Sequence, residues 1–223
     1  MSHLHPYIIA GLTNFEAYQV CISAVGAVGD ISRAIEGQLQ PFCDDIMKAL
    51  IESLKDVRIM KEVKPPVLSC FGEIALAIGG AYEPYLASSV MMLMQASQAE
   101  VPDHDEDMID FFNELREGIL ESYMGIIQGL RDGNKLASIM QYMQPLLMFI
   151  QKIAEDPNRD EEVLTKSVGL VGDIAQLMGP QMKQQLNQPW VAQLLNDAGS
   201  SGDQTLIETA TWAHGVVQQA IHS

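Results

Sequence analysis

Five glycines set the frame of this chain. Gly29-Asp30-Ile31, Gly72-Glu73-Ile74 and Gly172-Asp173-Ile174 repeat one tripeptide, each following a valine (Val20, Val63 and Val163) at the same distance. Gly125-Ile126-Ile127 and Gly215-Val216-Val217 are weaker copies. Successive glycines stand 43, 53, 47 and 43 residues apart. That is the range of HEAT and armadillo units, about 40 to 47 residues, with one longer unit; it excludes ankyrin and TPR periods of roughly 33 to 34. A glycine inside a helix costs about 1 kcal/mol relative to alanine, so its recurrence needs a compensating reason, and close approach of two helix backbones supplies one.

Apolar residues recur at helical spacing almost throughout, and alternating β-branched runs joined by hairpin turns are missing, which predicts an all-α fold, an α-α superhelix of four to five helix pairs. Asp132-Gly133 sits between helical patterns and marks a helix end. The expected units are about 1–37, 41–80, 84–131, 136–179 and 181–222. Within them the pairs are about 41–56 with 61–80, 84–99 with 105–131, 136–155 with 160–179, and 181–198 with 203–222. Residues of about 14–37 form a second helix whose partner is partly lost before residue 12. Pro41, Pro84, Pro145 and Pro180 are placed at or near the start of first helices, where a missing N–H is harmless, and Pro65-Pro66 in a first turn need not break their helix. Met1-Ser2-His3 runs almost directly into helix-like sequence with no polar cap, as expected of a segment beginning inside a longer chain.

On the second helix of the second unit, Val63, Val67, Cys70, Phe71, Ile74 and Ile78 make the buried stripe. Glu73 then points away from it, and by the repeat Asp30 and Asp173 take the same position, so stacking arrays these carboxylates along one face. Charge points the same way. With 13 Lys and Arg against 29 Asp and Glu, the net charge of -16 repels phosphate backbones and anionic lipid. Basic protein segments are the expected partners, with no nucleic acid and no membrane. Asp107, Asp110, Glu114, Glu117 and Glu121 fall on one face of the helix predicted over 105–131, where like charges repel by a few tenths of a kcal/mol per pair and a cationic partner relieves the strain. The bland reading of that stripe is a solvated face partly offset by Arg116.

Catalytic readings fare poorly. His104 with Asp103, Asp105 and Asp107 lacks ligand spacing and reads as a solvated linker. Gly26 to Gly29 lies inside a helical pattern, so it is no phosphate loop. Cys21, Cys43 and Cys70 are an odd number in apolar stretches and read as reduced core thiols. No nucleophile motif accompanies them, and neither cofactor nor metal is expected. Met91, Met92 and Met94 are expected to fill core gaps, though methionines on an exposed groove also suit adaptable recognition. Trp190, after Pro189 and amid Val191, Leu194 and Leu195, reads as packing.

The runs Tyr18-Gln19-Val20-Cys21, Ala24 to Asp30, Val63-Lys64-Pro65, Phe71 to Gly80, Asn113 to Glu117 and Ala210-Thr211-Trp212-Ala213 resemble, in order and spacing, the C-terminal HEAT repeats of the importin-β (karyopherin-β) family. The resemblance covers essentially the whole chain. It implies a nuclear import receptor, found in cytoplasm, nucleus and the nuclear pore, whose C-terminal arm wraps the basic importin-β-binding segment of the adaptor importin-α. Basic cargo would use the same acidic concave face. It further implies release by Ran-GTP through N-terminal repeats of the full-length receptor, and contacts with nucleoporin Phe-Gly repeats through grooves between outer helices. Trp212, four residues after Glu208, matches the family's tryptophan that faces the basic helix, and an exposed indole beside a carboxylate can stack a Lys or Arg for about 0.5–2 kcal/mol. The alternative for Trp212 is a core residue closing the solenoid end. A phosphatase-type HEAT scaffold, with shorter uniform units, is the competing binding-protein reading.

Overall fold

The computed structural model describes residues 1–99 and 106–223. Among these it contains ten α-helices, four short 3-10 segments and no strand. The chain divides into two compact units, Met1–Gln141 and Tyr142–Ser223.

In the first unit the α-helices are α1 (His5–Leu12), α2 (Tyr18–Ile35), α3 (Cys43–Lys55), α4 (Lys64–Ile78), α5 (Glu83–Ala96) and α6 (Glu106–Asp132). They alternate between two layers. The second helices of each pair pack in sequence, α2 on α4 and α4 on α6, while the first helices pack α1 on α3 and α3 on α5. The predicted stripe on α4 is the core: Val63, Val67, Cys70, Phe71, Ile74 and Ile78 are all buried. Prolines and 3-10 turns do the work of starting helices here. Pro65 and Pro84 stand in the first turns of α4 and α5, whereas Pro41 lies inside a 3-10 segment, Glu36–Phe42, ahead of α3 rather than at its start.

The first repeat opens with a short α1 of 8 residues, and Val20, the counterpart of the buried Val63 and Val163, is 46% exposed. Val20 sits in the first turn of α2, where its neighbour is the small Gly11 of α1. Helix ends are also more sharply set than the pattern suggests. α2 and α4 both stop seven residues after their repeat glycine, at Glu36 (φ 48°) and Gly79 (φ 57°).

The second unit holds α7 (Met143–Glu155), α8 (Glu161–Leu186), α9 (Pro189–Gly199) and α10 (Gln204–His222), with α8 packed on α10 and α7 on α9. Aspartates cap its second helices: Asp160 accepts from the Val163 N–H at 2.7 Å and Asp203 from the Leu206 N–H at 2.8 Å, which satisfies amides that have no partner within the helix.

Pro180 corrects a predicted boundary. It does not open a helix but lies within α8, which continues to Leu186. The carbonyl left without its donor belongs to Gln176; both Gln176 and Pro180 are exposed, so water can serve it. Met178, Met182 and Leu186 meanwhile carry the buried stripe onward.

The methionine expectation needs a similar correction. Met92 is buried but Met91 is 54% exposed, because adjacent positions on a helix cannot share a face. Cys21, Cys43 and Cys70 are buried free thiols, and burial pushes the Cys43 thiol up to about 12. His104, Asp103 and Asp105 lie outside the described residues; among those described there is no metal-ligating cluster and no helix long and apolar enough to cross a membrane.

Candidate binding surface on the second helices

Glycine decides how closely successive second helices approach. A Cβ on Gly125 would stand 2.5 Å from the Gly72 carbonyl oxygen, and one on Gly72 2.8 Å from that of Glu121. Gly118 presses on Pro65 and Gly129 on Ala75 in the same manner. α6 therefore lies on α4 backbone to backbone along several turns. The same interface fixes the acidic stripe, because Glu114 and Glu121 each stand four residues before a glycine that touches α4.

Along the stripe, Asp107, Asp110 and Glu114 are exposed, while Glu117 and Glu121 are half-buried. Spacing alone placed these five on one face, and α6 is helical from Glu106 onward, so the face exists.

Asp30 and Glu73 are brought together on α2 and α4. Glu73 lays its carboxylate across Gly29, where any Cβ would overlap it. Arg33, one turn after Asp30, donates from Nη2 to Asp30 at 2.7 Å and from Nη1 to Glu73. Asp30 first, then Glu73, raises the Arg33 pKa. The guanidinium remains well exposed. Sequence reasoning picked both carboxylates but missed Arg33, although its spacing of three from Asp30 was a readable signal. A line thus runs across the first unit from Asp30 through Glu73 to the backbone of Glu121, which lies against Gly72.

In the second unit, α10 contributes Trp212 and Glu208. The six-membered part of the Trp212 indole lies against Gly172: a Cβ there would be 2.6 Å from Cη2 and 3.0 Å from Cε3. Trp212 is 39% exposed, so part of the indole is covered and part is open. Glu208 is exposed and accepts from Gln204 Nε2 at 2.7 Å. Asp173 is half-buried.

Trp190 is not simply packed. It is half-buried and, with Leu147, Met148, Gln144, Gln151 and Gln184, lines a cleft of about 240 Å³ in the second unit.

Comparison with known proteins decides the family. A family model described as importin subunit beta-1-like, TPR repeats, matches residues 1–199. This chain belongs to the importin-β family. Its helix pairs recur at the longer HEAT spacing, despite the wording of that description. Importin subunit beta-1 of Arabidopsis thaliana is 38% identical over 99% of this chain, which spans 26% of that relative. A crystal structure of importin beta superposes with a TM-score of 0.93 at 34% identity, covering 99% of this chain and 27% of that one. Yeast importin-β, Kap95p, superposes at 29% identity, covering 100% of this chain and 26% of that one. Its complex with RanGDP gives a TM-score of 0.92 and its complex with Nup1 gives 0.90. The chain thus spans about a quarter of the length of these relatives. The importin-β family comprises transport receptors, not enzymes.

Proposed function

We propose that this segment of an importin-β receptor holds a basic polypeptide, either the basic segment of importin-α or a basic cargo, on carboxylates carried by its second helices. The observation that carries the reading is Arg33. Asp30 and Glu73 already hold a guanidinium between two helices, as they would a partner's arginine. The α6 stripe of Asp107, Asp110, Glu114, Glu117 and Glu121 extends that acidic face, and Asp173, Glu208 and Trp212 offer a second contact region with an aromatic plate. Cytoplasm, nucleus and nuclear pore are the corresponding locations. Release by Ran-GTP is assigned to the full-length receptor; Kap95p, a relative of this chain, forms a complex with RanGDP.

Charge reversal of Glu114, Glu117 and Glu121 to lysine tests the reading. Binding of a fluorescent basic importin-α segment should weaken roughly 10-fold or more at low salt, and its salt dependence should flatten. An unchanged affinity and slope would remove α6 from the binding surface.

A second reading rests on the cleft beside Trp190. Met148, 55% exposed, with Leu147 and Trp190, forms an apolar floor ringed by glutamine amides, a chemistry suited to the aromatic ring and flanking peptide groups of a nucleoporin Phe-Gly repeat. That the related Kap95p forms a complex with Nup1 favours it. Met148→Glu should abolish capture of a Phe-Gly peptide while leaving basic-segment binding intact.

A further inference from the structure

We infer that Gly172 is a positioning residue, a notch in α8 that seats the Trp212 indole in one pose and so presents its open part to a cationic side chain. The inference rests on the basic-segment reading above and adds to it the device that orients the plate.

Helix α8 carries three glycines toward α10, Gly169, Gly172 and Gly179, and at the last two, two turns apart, α10 comes closer than a Cβ would allow. Gly179 admits Ala220, whose Cβ would lie 2.7 Å from a Cβ at that position. That small-on-small contact lets α10 approach α8 closely. At Gly172 the same closeness is used differently, because what enters is the six-membered ring of Trp212. An indole has few rotamers, and a ring set into a notch loses most of its remaining freedom before any ligand arrives. Ordering that would otherwise be lost on binding is thus absent from the cost of binding. Trp212 is nonetheless 39% exposed, so the notch covers part of the indole and leaves part open. A cation over the open part of the ring is attracted by the ring quadrupole.

The glycine before the repeat carboxylate plays the same part in the other unit with a different occupant. Gly29 seats the Glu73 carboxylate, and Arg33 closes over it. In the second unit the residue three after Asp173 is Gln176, where α2 has Arg33. The notch therefore recurs while the side chain seated in it changes from a carboxylate to an indole. Alanine is the better helix former in a plain helix interior, and its absence at Gly172 is explained by the ring it would displace.

The test uses Trp190→Phe as background, which leaves Trp212 the sole tryptophan of the two. Three readouts follow Gly172→Ala: the near-UV circular dichroism of the indole, its quenching by acrylamide, and affinity for a fluorescein-labelled lysine-arginine peptide. The expected result is a collapsed indole band, greater quencher access and affinity lower by about 3- to 10-fold, the range set by one cation–π contact. Gly169→Ala, one turn earlier with Thr209 Cγ2 no nearer than 3.8 Å, should leave all three unchanged. Trp212→Ala should weaken the peptide as much as Gly172→Ala does. If Trp212→Ala weakens binding but Gly172→Ala leaves the band and affinity intact, the notch is not positioning the ring and the inference is overturned. If Trp212→Ala itself has no effect, the basic-segment reading at Trp212 falls and takes the positioning role with it. A stability cycle covers poor folding of the single variant. Gly172→Ala should lower the thermal midpoint when Trp212 is present and raise it by about 2–4 °C when Trp212 is alanine. Equal effects in both backgrounds would overturn the inference.

Discussion

The α4–α6 pair and the α8–α10 pair begin from the same repeat and reach different contacts. In the first, glycines on both helices meet, Gly72 with Gly125, and backbone rests on backbone over several turns. In the second, the glycines of α8 receive side chains of α10, Trp212 at Gly172 and Ala220 at Gly179, while Gly215 of α10 meets nothing within 4 Å. A repeat glycine therefore does not specify a backbone contact. It specifies room, and the facing residue decides whether a carbonyl, a carboxylate or an indole takes it. Entry and exit differ too. Prolines and 3-10 turns bound the helices of the first unit, aspartate caps open α8 and α10, and α8 runs on through the position where α2 and α4 stop.

The steepest loss of stability falls on the α4–α6 contact. Gly125→Ala places a methyl group 2.5 Å from the Gly72 carbonyl, an atom that cannot rotate away. It should cost about 3 kcal/mol in urea unfolding, the upper end of overpacking, and more than Gly172→Ala, whose obstacle is a movable ring. Equal losses would erase the distinction between the two pairs. A smaller effect concerns helix ends. Glu36 occupies the positive-φ position that its counterpart Gly79 fills without strain. Glu36→Gly should raise stability by about 1 kcal/mol, seen as a higher thermal midpoint, and the reciprocal Gly79→Glu should lower it.

The smallest effect separates the loops between paired helices. Asp56 in the first unit accepts from the Arg58 guanidinium, Nε to Oδ1 at 2.9 Å and Nη2 to Oδ2 at 2.7 Å, and from the Arg58 N–H at 2.9 Å. Arg58 in this way holds the Asp56 carboxyl down to about 2. In the second unit Asp156 accepts the Asn158 N–H at 2.8 Å, while Arg159 donates to the Asp156 backbone carbonyl at 2.7 Å. Because the folded-state pKa of Asp56 is depressed, its contribution is present above about pH 4 and lost as pH falls toward about 2. A carboxyl NMR titration should show that midpoint for Asp56, and Arg58→Ala should return it to the ordinary carboxylate range.

The sequence alone carries the all-α class and the core stripe, because each is a periodic property that local spacing records. Val63 to Ile78 could be assigned to the interior from spacing alone, and the carboxylates of α6 to one face. It could also fix Asp132 as a helix end, from Asp-Gly between two apolar patterns. Pro180 misled it, because whether a proline ends a helix depends on who serves the freed carbonyl, and that is a question of exposure. What only the tertiary structure decided is which atoms share the room a glycine leaves. Glu73 against Gly29, Arg33 with Glu73, and Trp212 against Gly172 are contacts between residues forty or so apart, set by how closely two helices pack, and no single helix carries that information.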